Sequence, residues 1–412
     1  MRQVFALPVP ELAQALGVPE GRAVQVQKAC YGLVNAPAEF YRTVDAHLLS
    51  CGFERLVTDP CAWRLRVRGV VVGLITAHVD DFLVCGNESS AEWVEALHGF
   101  YARFRWSPWE HSRFLHCGVD MECTEEGVKM HHDKYCEGLQ QIDVPASMAD
   151  EEPATPTQVT ELRALLGGAQ WRAYNTAPQH QAKVGLLLSQ VGKANGRVLR
   201  EANKLCREMH QGRFKSVNVH LLDGVAMKDV QFVCWTDAAV ANRHDLSSTG
   251  GYVIAATGPS MTQGQASKLT LVSWRSAKLP RVCRSSLSAE IQAFSEGEEE
   301  LMYTSLAWAE LRGLDIDLQK VTDTLRLVGG VMVTDAKSLY DVIRKDDLNT
   351  AALGMKDKYS ALEVMSVLER LRRAATTTRW VNSDAQLADA MTKWKADSSL
   401  HTVISSGVWT LV

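Results

Sequence analysis

The chain lacks several things that would settle its class at once. It has no C-x-x-C pair and no cysteines at metal-finger spacing, although it carries 10 of them. That excludes zinc-finger and thioredoxin-type motifs, and the cysteines read as reduced thiols, several of them buried. No long hydrophobic run is present. The longest, Val70 to Ala77, falls far short of the ~18 residues that suggest a membrane span. The segment MRQVFALPVPELAQALG has two prolines and no apolar core of a secretory signal, so the expectation is a soluble intracellular protein, cytoplasmic or nuclear. Fixed-period repeats and low-complexity tracts are also missing, and a charged fraction of 22% with 46% apolar residues is that of ordinary globular domains.

A charge excess of one sign is missing too. The net charge of −4 argues against a simple cationic nucleic-acid binder, but it is an average over unlike parts. Residues 1–150 carry −7, residues 151–230 carry +4, and residues 231–412 carry −1. At 412 residues the chain has room for two or three domains at ~100–200 residues each.

Along the chain, Ala38 to Leu49 places Phe40, Val44, His47 and Leu48 on one helical face. The stretch VVVGLITAHVDDFLVC reads as a β-hairpin whose tip carries Asp80 and Asp81, and SSAE opens a helix running to Phe104. Phe114 to Met130 reads as a strand pair turning at Thr124–Gly127. The doublet His131–His132 before Asp133 reads as a solvated strand end rather than a metal site. Ala146 to Thr157, acidic and proline-bearing, is the clearest linker or exposed loop. Helices are expected over Thr160–Tyr174 and Ala182–His210. Three strand-like runs (QFVCWT, TGGYVIAA, LTLVSW) then lead into a long helix from Ser286 to Arg312. A strand ending at Asp335, helices Ala336–Arg344 and Lys356–Arg373, a strand Thr377–Val381 and a short helix Ala385–Lys393 complete the pattern.

Four acids in this last part stand where an acid is structurally odd. Asp237 and Asp335 end apolar strands, Glu290 opens the long helix beside its buried stripe, and Asp389 lies among Leu387, Ala388, Ala390 and Met391. Any one of them is ordinarily a turn or cap residue. As a group they repel, by ~4 kcal/mol per pair at 4 Å and an effective dielectric of 20, and must protonate or bind a cation. Hard oxygen ligands suit magnesium or manganese, and two such ions ~3.5–4 Å apart serve in-line displacement at phosphorus.

The words around these acids, WTDAAVANRHDLSSTGGYVI, VSWRSAKLPRVCRSSLSAE and QLADAMTK, resemble the ribonuclease H part of copia-type LTR retrotransposon Pol polyproteins. That resemblance implies that Asp237, Glu290, Asp335 and Asp389 are catalytic and bind two Mg²⁺ or Mn²⁺ ions. Trp274 and Lys278, in SWRSAK, become candidates for substrate contact, with a core place for Trp274 as the ordinary alternative. Upstream, KACYGLVNAPAEFYRTVDAHLL and AHVDDFLVCG resemble the same family's reverse transcriptase palm. This implies polymerase metal ligands at Asp80 and Asp81, with Gly32 and His78 at the substrate, where His78 replaces the family's tyrosine. By the ordinary reading, Asp80 and Asp81 are simply turn residues. No word like LDVKTAFLNG precedes Asp45, so the first palm aspartate and the fingers are expected to be missing and polymerase activity is not expected of this chain.

The fold expected is α+β for a partial palm with a helical thumb and connection, then an α/β ribonuclease H-like domain with a mixed five-stranded sheet and flanking helices. The boundaries would be 1–145, 146–229 and 230–412. The expected partner is an RNA–DNA hybrid or other nucleic acid, with no membrane, and a partner subunit or the rest of a Pol polyprotein as a further candidate. Two rival functions are a non-catalytic remnant and a binding module that uses the basic segment 151–230.

Overall fold

A computed structural model describes residues 4–27, 32–212, 217–345, 355, 357–394 and 398–411. The chain forms two compact units, Met1–Ser107 and Pro108–Val412. Both boundaries expected from sequence, at 145 and 229, fall inside the second unit.

In the first unit, β1 (Val4–Ala6), α1 (Pro10–Leu16) and β2 (Val24–Val26) form a small antiparallel pair with its connecting helix. Next come α2 (Ala36–Ser50), β3 (Glu54–Arg55), β4 (Ala62–Val67), β5 (Val70–His78), β6 (Asp81–Gly86) and α3 (Ala91–Arg103). The four strands make an antiparallel sheet in the order β3-β4-β5-β6. The amphipathic reading of α2 holds, with Val44 and Leu48 buried. Helix α3 starts where the capping signal lies, the Ser90 hydroxyl accepting from the Trp93 N–H at 3.3 Å. The Trp93 ring then lies flat on the sheet over the cross-strand pair Gly73 and Gly86, where a Cβ would come within 2.2 Å of it.

The second unit begins with β7 (Arg113–His116), β8 (Val119–Thr124), β9 (Gly127–His131), α4 (Asp133–Glu137), α5 (Pro156–Asn175), α6 (Gln181–Leu188), α7 (Gly196–Gln211) and β10 (Val217–His220). The strands form one antiparallel sheet, β10-β9-β8-β7. Two expectations need correcting here. The strand end at His131 and His132 is buried, at 8% and 0% exposure, not solvated. Thr176, arriving from the end of α5, bonds the His132 Nδ1 at 2.8 Å, and Asp133 lies 3.1 Å from the His131 Nδ1. Burial keeps the His132 imidazole neutral, pushing its pKa down to about 4. The expected helix Ala182–His210 is two helices. Asn195 ends the intervening turn and caps α7 by accepting from the Val198 N–H at 3.1 Å. The acidic stretch expected as a loop over 146–157 is irregular only to residue 155, its last two residues opening α5, and it is anchored by buried Met148 and by Asp150, which is bonded to Arg200 at 2.7 Å.

The rest of this unit comprises β11 (Gln231–Ala239), β12 (Thr249–Thr257), α8 (Pro259–Thr262), β13 (Ser267–Lys278), α9 (Ser286–Leu311), α10 (Val321–Val328) and β14 (Gly330–Thr334). It continues through α11 (Lys337–Ile343), α12 (Lys358–Ala374), β15 (Thr377–Trp380), α13 (Asp389–Thr392), α14 (Ser398–Ser406) and β16 (Val408–Trp409). The sheet order is β15-β14-β11-β12-β13-β16. Strands β11, β12 and β13 are antiparallel, and β14 and β15 run parallel to β11. This is the expected mixed five-stranded sheet with a sixth, two-residue strand added at the β13 edge.

Both faces of the sheet are covered, which is why β11 reads as an unbroken apolar run. Phe232 and Cys234 point toward Ile291 and Phe294 of α9 and the core of α12. Val233 and Trp235 point the other way, to Leu387, Met391, Leu400 and Val403. Gly297 lets α9 approach closely, since a Cβ there would meet the Thr236 side chain at 2.5 Å. The short helix expected over Ala385–Lys393 is a 3-10 turn, Ser383–Ala385, followed by α13, so Asp389 opens a helix instead of lying inside one.

Candidate active site

Parallel pairing sets the first two acids side by side. The β11–β14 register ends at Trp235 opposite Val333, so Asp237 and Asp335, each two residues further on, leave adjoining strands at the same end. Asp389 reaches them from α13, which packs on the sheet through Met391 where Gly251, the register partner of Asp237, has no side chain. One carboxylate oxygen from each of Asp237, Asp335 and Asp389 lies within 4.8 Å of the others. Glu290 comes from the start of α9 on the opposite face. It is 9% exposed, and its Oε2 is buried without a hydrogen-bond partner.

The electrostatics follow from that crowding. Burial, then Asp237 and Asp335, push the Glu290 carboxyl up to about 9. Burial also raises Asp237, to about 6, against the pull of Lys393 and the Thr392 hydroxyl. Lys393 sets its Nζ 2.5 Å from Asp389 Oδ1 and 3.8 Å from Asp237 Oδ2. Burial works against its charge, but Asp237 and Asp389 hold the ammonium pKa above its ordinary value.

A second layer aims the acids. Ser383 donates to Asp335 Oδ2 at 2.8 Å, and Gln386 donates to the Thr236 carbonyl at 2.9 Å and to Asp335 Oδ1 at 3.4 Å. Thr392 donates to Asp237, and its own carbonyl accepts from Asn242 at 2.9 Å. Sequence reasoning missed Ser383, Gln386, Asn242, Thr392 and Lys393. Gln386, Thr392 and Lys393 lie in the word QLADAMTK and Asn242 in WTDAAVANRHDLSSTGGYVI, so the motifs carried them without assigning them a role, and Lys393 also stands at i,i+4 from Asp389.

These residues fit a divalent cation. Three converging carboxylates, with a fourth whose buried oxygen has no donor, are a hard all-oxygen set that repels itself until positive charge enters.

The remaining sequence candidates are not among these converging carboxylates. In the first unit, Asp80 and Asp81 are exposed on the β5–β6 hairpin, whose turn holds Val79 at a φ of 58°. His78, paired with Asp81, is exposed, and Gly32 lies in an exposed turn at a φ of 92°. Asp45 is held by the Trp63 indole at 3.0 Å and by Arg55 at 2.9 Å, a structural arrangement. In the second unit, Trp274 is half-buried and donates its indole N–H to the Ala173 carbonyl at 3.0 Å. Lys278 is exposed and paired with Asp245 at 2.6 Å.

A mixed sheet with acids at adjoining strand ends and on flanking helices is the arrangement implied by the resemblance to the retroelement nuclease. No family model matches the chain. It is similar, however, to two Arabidopsis thaliana proteins, the retrovirus-related Pol polyproteins from transposons RE1 and RE2. Identity is 22% over 385 residues for the first and 24% over 397 residues for the second, each covering 90% of this chain. The copia-type resemblance thus extends over most of the sequence. The chain spans about a quarter (24%) of the length of these curated relatives.

Two solved structures are also similar. One is an N-terminal RNase H domain from Mycobacterium tuberculosis, solved as a fusion with maltose binding protein, at 12% identity and TM-score 0.24, covering 42% of this chain and 99% of that one. The other is a foamy viral protease-reverse transcriptase in complex with RNA/DNA hybrid, at 11% identity and TM-score 0.26, covering 91% of this chain and 63% of that one.

Proposed function

We propose that the second unit is a divalent-metal nuclease that cuts the RNA strand of RNA–DNA hybrids. The observation that carries this reading is the convergence of Asp237, Asp335 and Asp389, with their oxygens within 4.8 Å of one another. Glu290 adds a buried, unpartnered carboxylate oxygen beside Asp237 and Asp335. When bound, two Mg²⁺ or Mn²⁺ ions would activate water and stabilise the leaving oxygen.

The chain's own residues do the rest. Asp237, rigid in the central strand, and Asp389, at the start of α13, present fixed negative oxygens. Ser383 and Gln386 keep the Asp335 carboxylate turned toward them. Selectivity for RNA would come from its 2′-hydroxyls across the minor groove of the hybrid, largely independent of sequence. The acids and their second layer favour this reading over a non-catalytic remnant or a pure binding module.

In the first unit, Asp80 and Asp81 occupy an exposed hairpin and Asp45 is tied to Trp63 and Arg55. We infer that this chain by itself does not polymerise DNA, its partners being the hybrid and the remainder of a Pol polyprotein. No helix among the described residues is long and apolar enough to cross a membrane.

The test is cleavage of a labelled hybrid with and without Mg²⁺, using Asp237→Asn as control. The parent should cut and the variant should fall to background. Equal cutting by the variant, or none by the parent, removes the nuclease reading. A primed RNA template in the same buffer should not be extended.

A further inference from the structure

The carboxylate cluster already has a cation beside it. Lys393 Nζ lies 2.5 Å from Asp389 Oδ1 and 3.8 Å from Asp237 Oδ2, two of the three converging acids. It follows directly on α13, so one short element carries both a ligand and its counter-charge. The backbone of that element is fixed on three sides. Met391 fills the space over Gly251, Asn242 donates to the Thr392 carbonyl, and Trp394 packs on the core of α5 and α7. The Lys393 side chain is not fixed in this way. It is 43% exposed, and a four-carbon stem lets the ammonium leave without unpacking the helix.

We propose that Lys393 is an internal counter-cation. It neutralises Asp237 and Asp389 when no divalent ion is bound, gives way when one arrives, and so sets the affinity of the site. The proposal rests on the metal-dependent nuclease reading, because it takes the acids as ligands. Its physical basis is competition. A charge that must be displaced subtracts its own attraction from that of the incoming ion, and the acids left bare without it repel one another.

The experiment uses the full chain and Mn²⁺ alone, titrated calorimetrically, with thermal unfolding measured in chelator. Lys393→Met should bind Mn²⁺ about tenfold tighter or more, a modest share of one close charge–charge interaction. In chelator it should melt below the parent. Lys393→Arg, which keeps the charge, should stay near the parent in both measurements. Lys393→Gln should reproduce the Met result if that variant does not fold. Lys268→Met serves as the charge control, since that lysine pairs with Asp223 at 2.7 Å, away from the carboxylate cluster; it should move the affinity by less than about twofold. Simple destabilisation would weaken binding, so a gain in affinity separates the proposed role from a structural one. Parent-like or weaker Mn²⁺ binding by Lys393→Met, with the parent binding normally, overturns the proposal and leaves the nuclease reading intact. No Mn²⁺ binding by the parent overturns both.

Discussion

Glu290 shows how far packing changes one side chain. Burial and two neighbouring acids push its carboxyl up from 4.5 to about 9, so without a cation it carries a proton at neutral pH. The folded state therefore keeps a proton that the unfolded chain releases, and metal-free stability falls as pH rises through that window. Glu290→Gln imitates the protonated acid. It should flatten this decline, raising the melting temperature in chelator at pH 8 relative to the parent, and should bind Mn²⁺ more weakly. Parallel melting curves for parent and variant between pH 5 and 9 would rule out this account. The sequence marked Glu290 as out of place but not its raised pKa, because the charges acting on it, Asp237 on β11 and Asp335 at the β14 end, lie far away in the chain. Asp245 moves in the opposite direction, held well below the usual carboxylate range by Lys278. Lys278 makes that pairing and Trp274 bonds the Ala173 carbonyl, the two residues that the family resemblance offers to the substrate.

At the scale of elements, local signals were legible wherever they suffice to build the element. The Ser90 cap, the β5–β6 hairpin and the 26-residue helix α9 lie close to where periodicity and capping put them. What periodicity could not show was where an element breaks, as at Asn195, or that Asp389 opens α13. Such breaks are decided by what the neighbouring turn packs against. Gly251 makes the dependence testable. A Cβ there would come 2.2 Å from the Met391 Cβ and 2.9 Å from the Arg275 carbonyl, so Gly251→Ala must push α13 outward. Overpacking of this kind costs about 1–3 kcal/mol. The variant should melt lower and lose Mn²⁺ affinity and hybrid cleavage together, because the ligand Asp389 rides on α13. Unchanged Mn²⁺ binding would mean that α13 does not deliver its ligand through this contact.

Across the whole molecule, the second unit joins stretches that the sequence assigned to separate domains. Trp274 and Ser276 of β13 bond Ala173 and Gln181, Arg243 bonds Gly185, and His220 of β10 shares two bonds with Thr270. Trp394, one residue past Lys393, seats in the helical core. Residues 108–412 expressed alone should therefore keep Mg²⁺-dependent cleavage, whereas residues 230–412 should unfold at lower temperature and bind Mn²⁺ poorly. Equal melting temperatures for the two pieces would show these cross-links to be dispensable. The charge pattern also changes meaning, since the +4 of residues 151–230 belongs largely to α5, α6 and α7, helices that pack on one another around a shared core.

By itself the sequence determined the apolar strands, the long capped helix, the four acids and the family they resemble, because alternation, capping and short motifs are written in neighbouring residues. Only the tertiary structure decided that three of those acids converge, that burial and its acidic neighbours raise the pKa of the fourth, and that a lysine already stands among them. Register between parallel strands, desolvation and ion pairing depend on residues that are distant in the chain, as where Thr392 meets Asp237 across 155 positions. Local sequence patterns carry no record of such meetings.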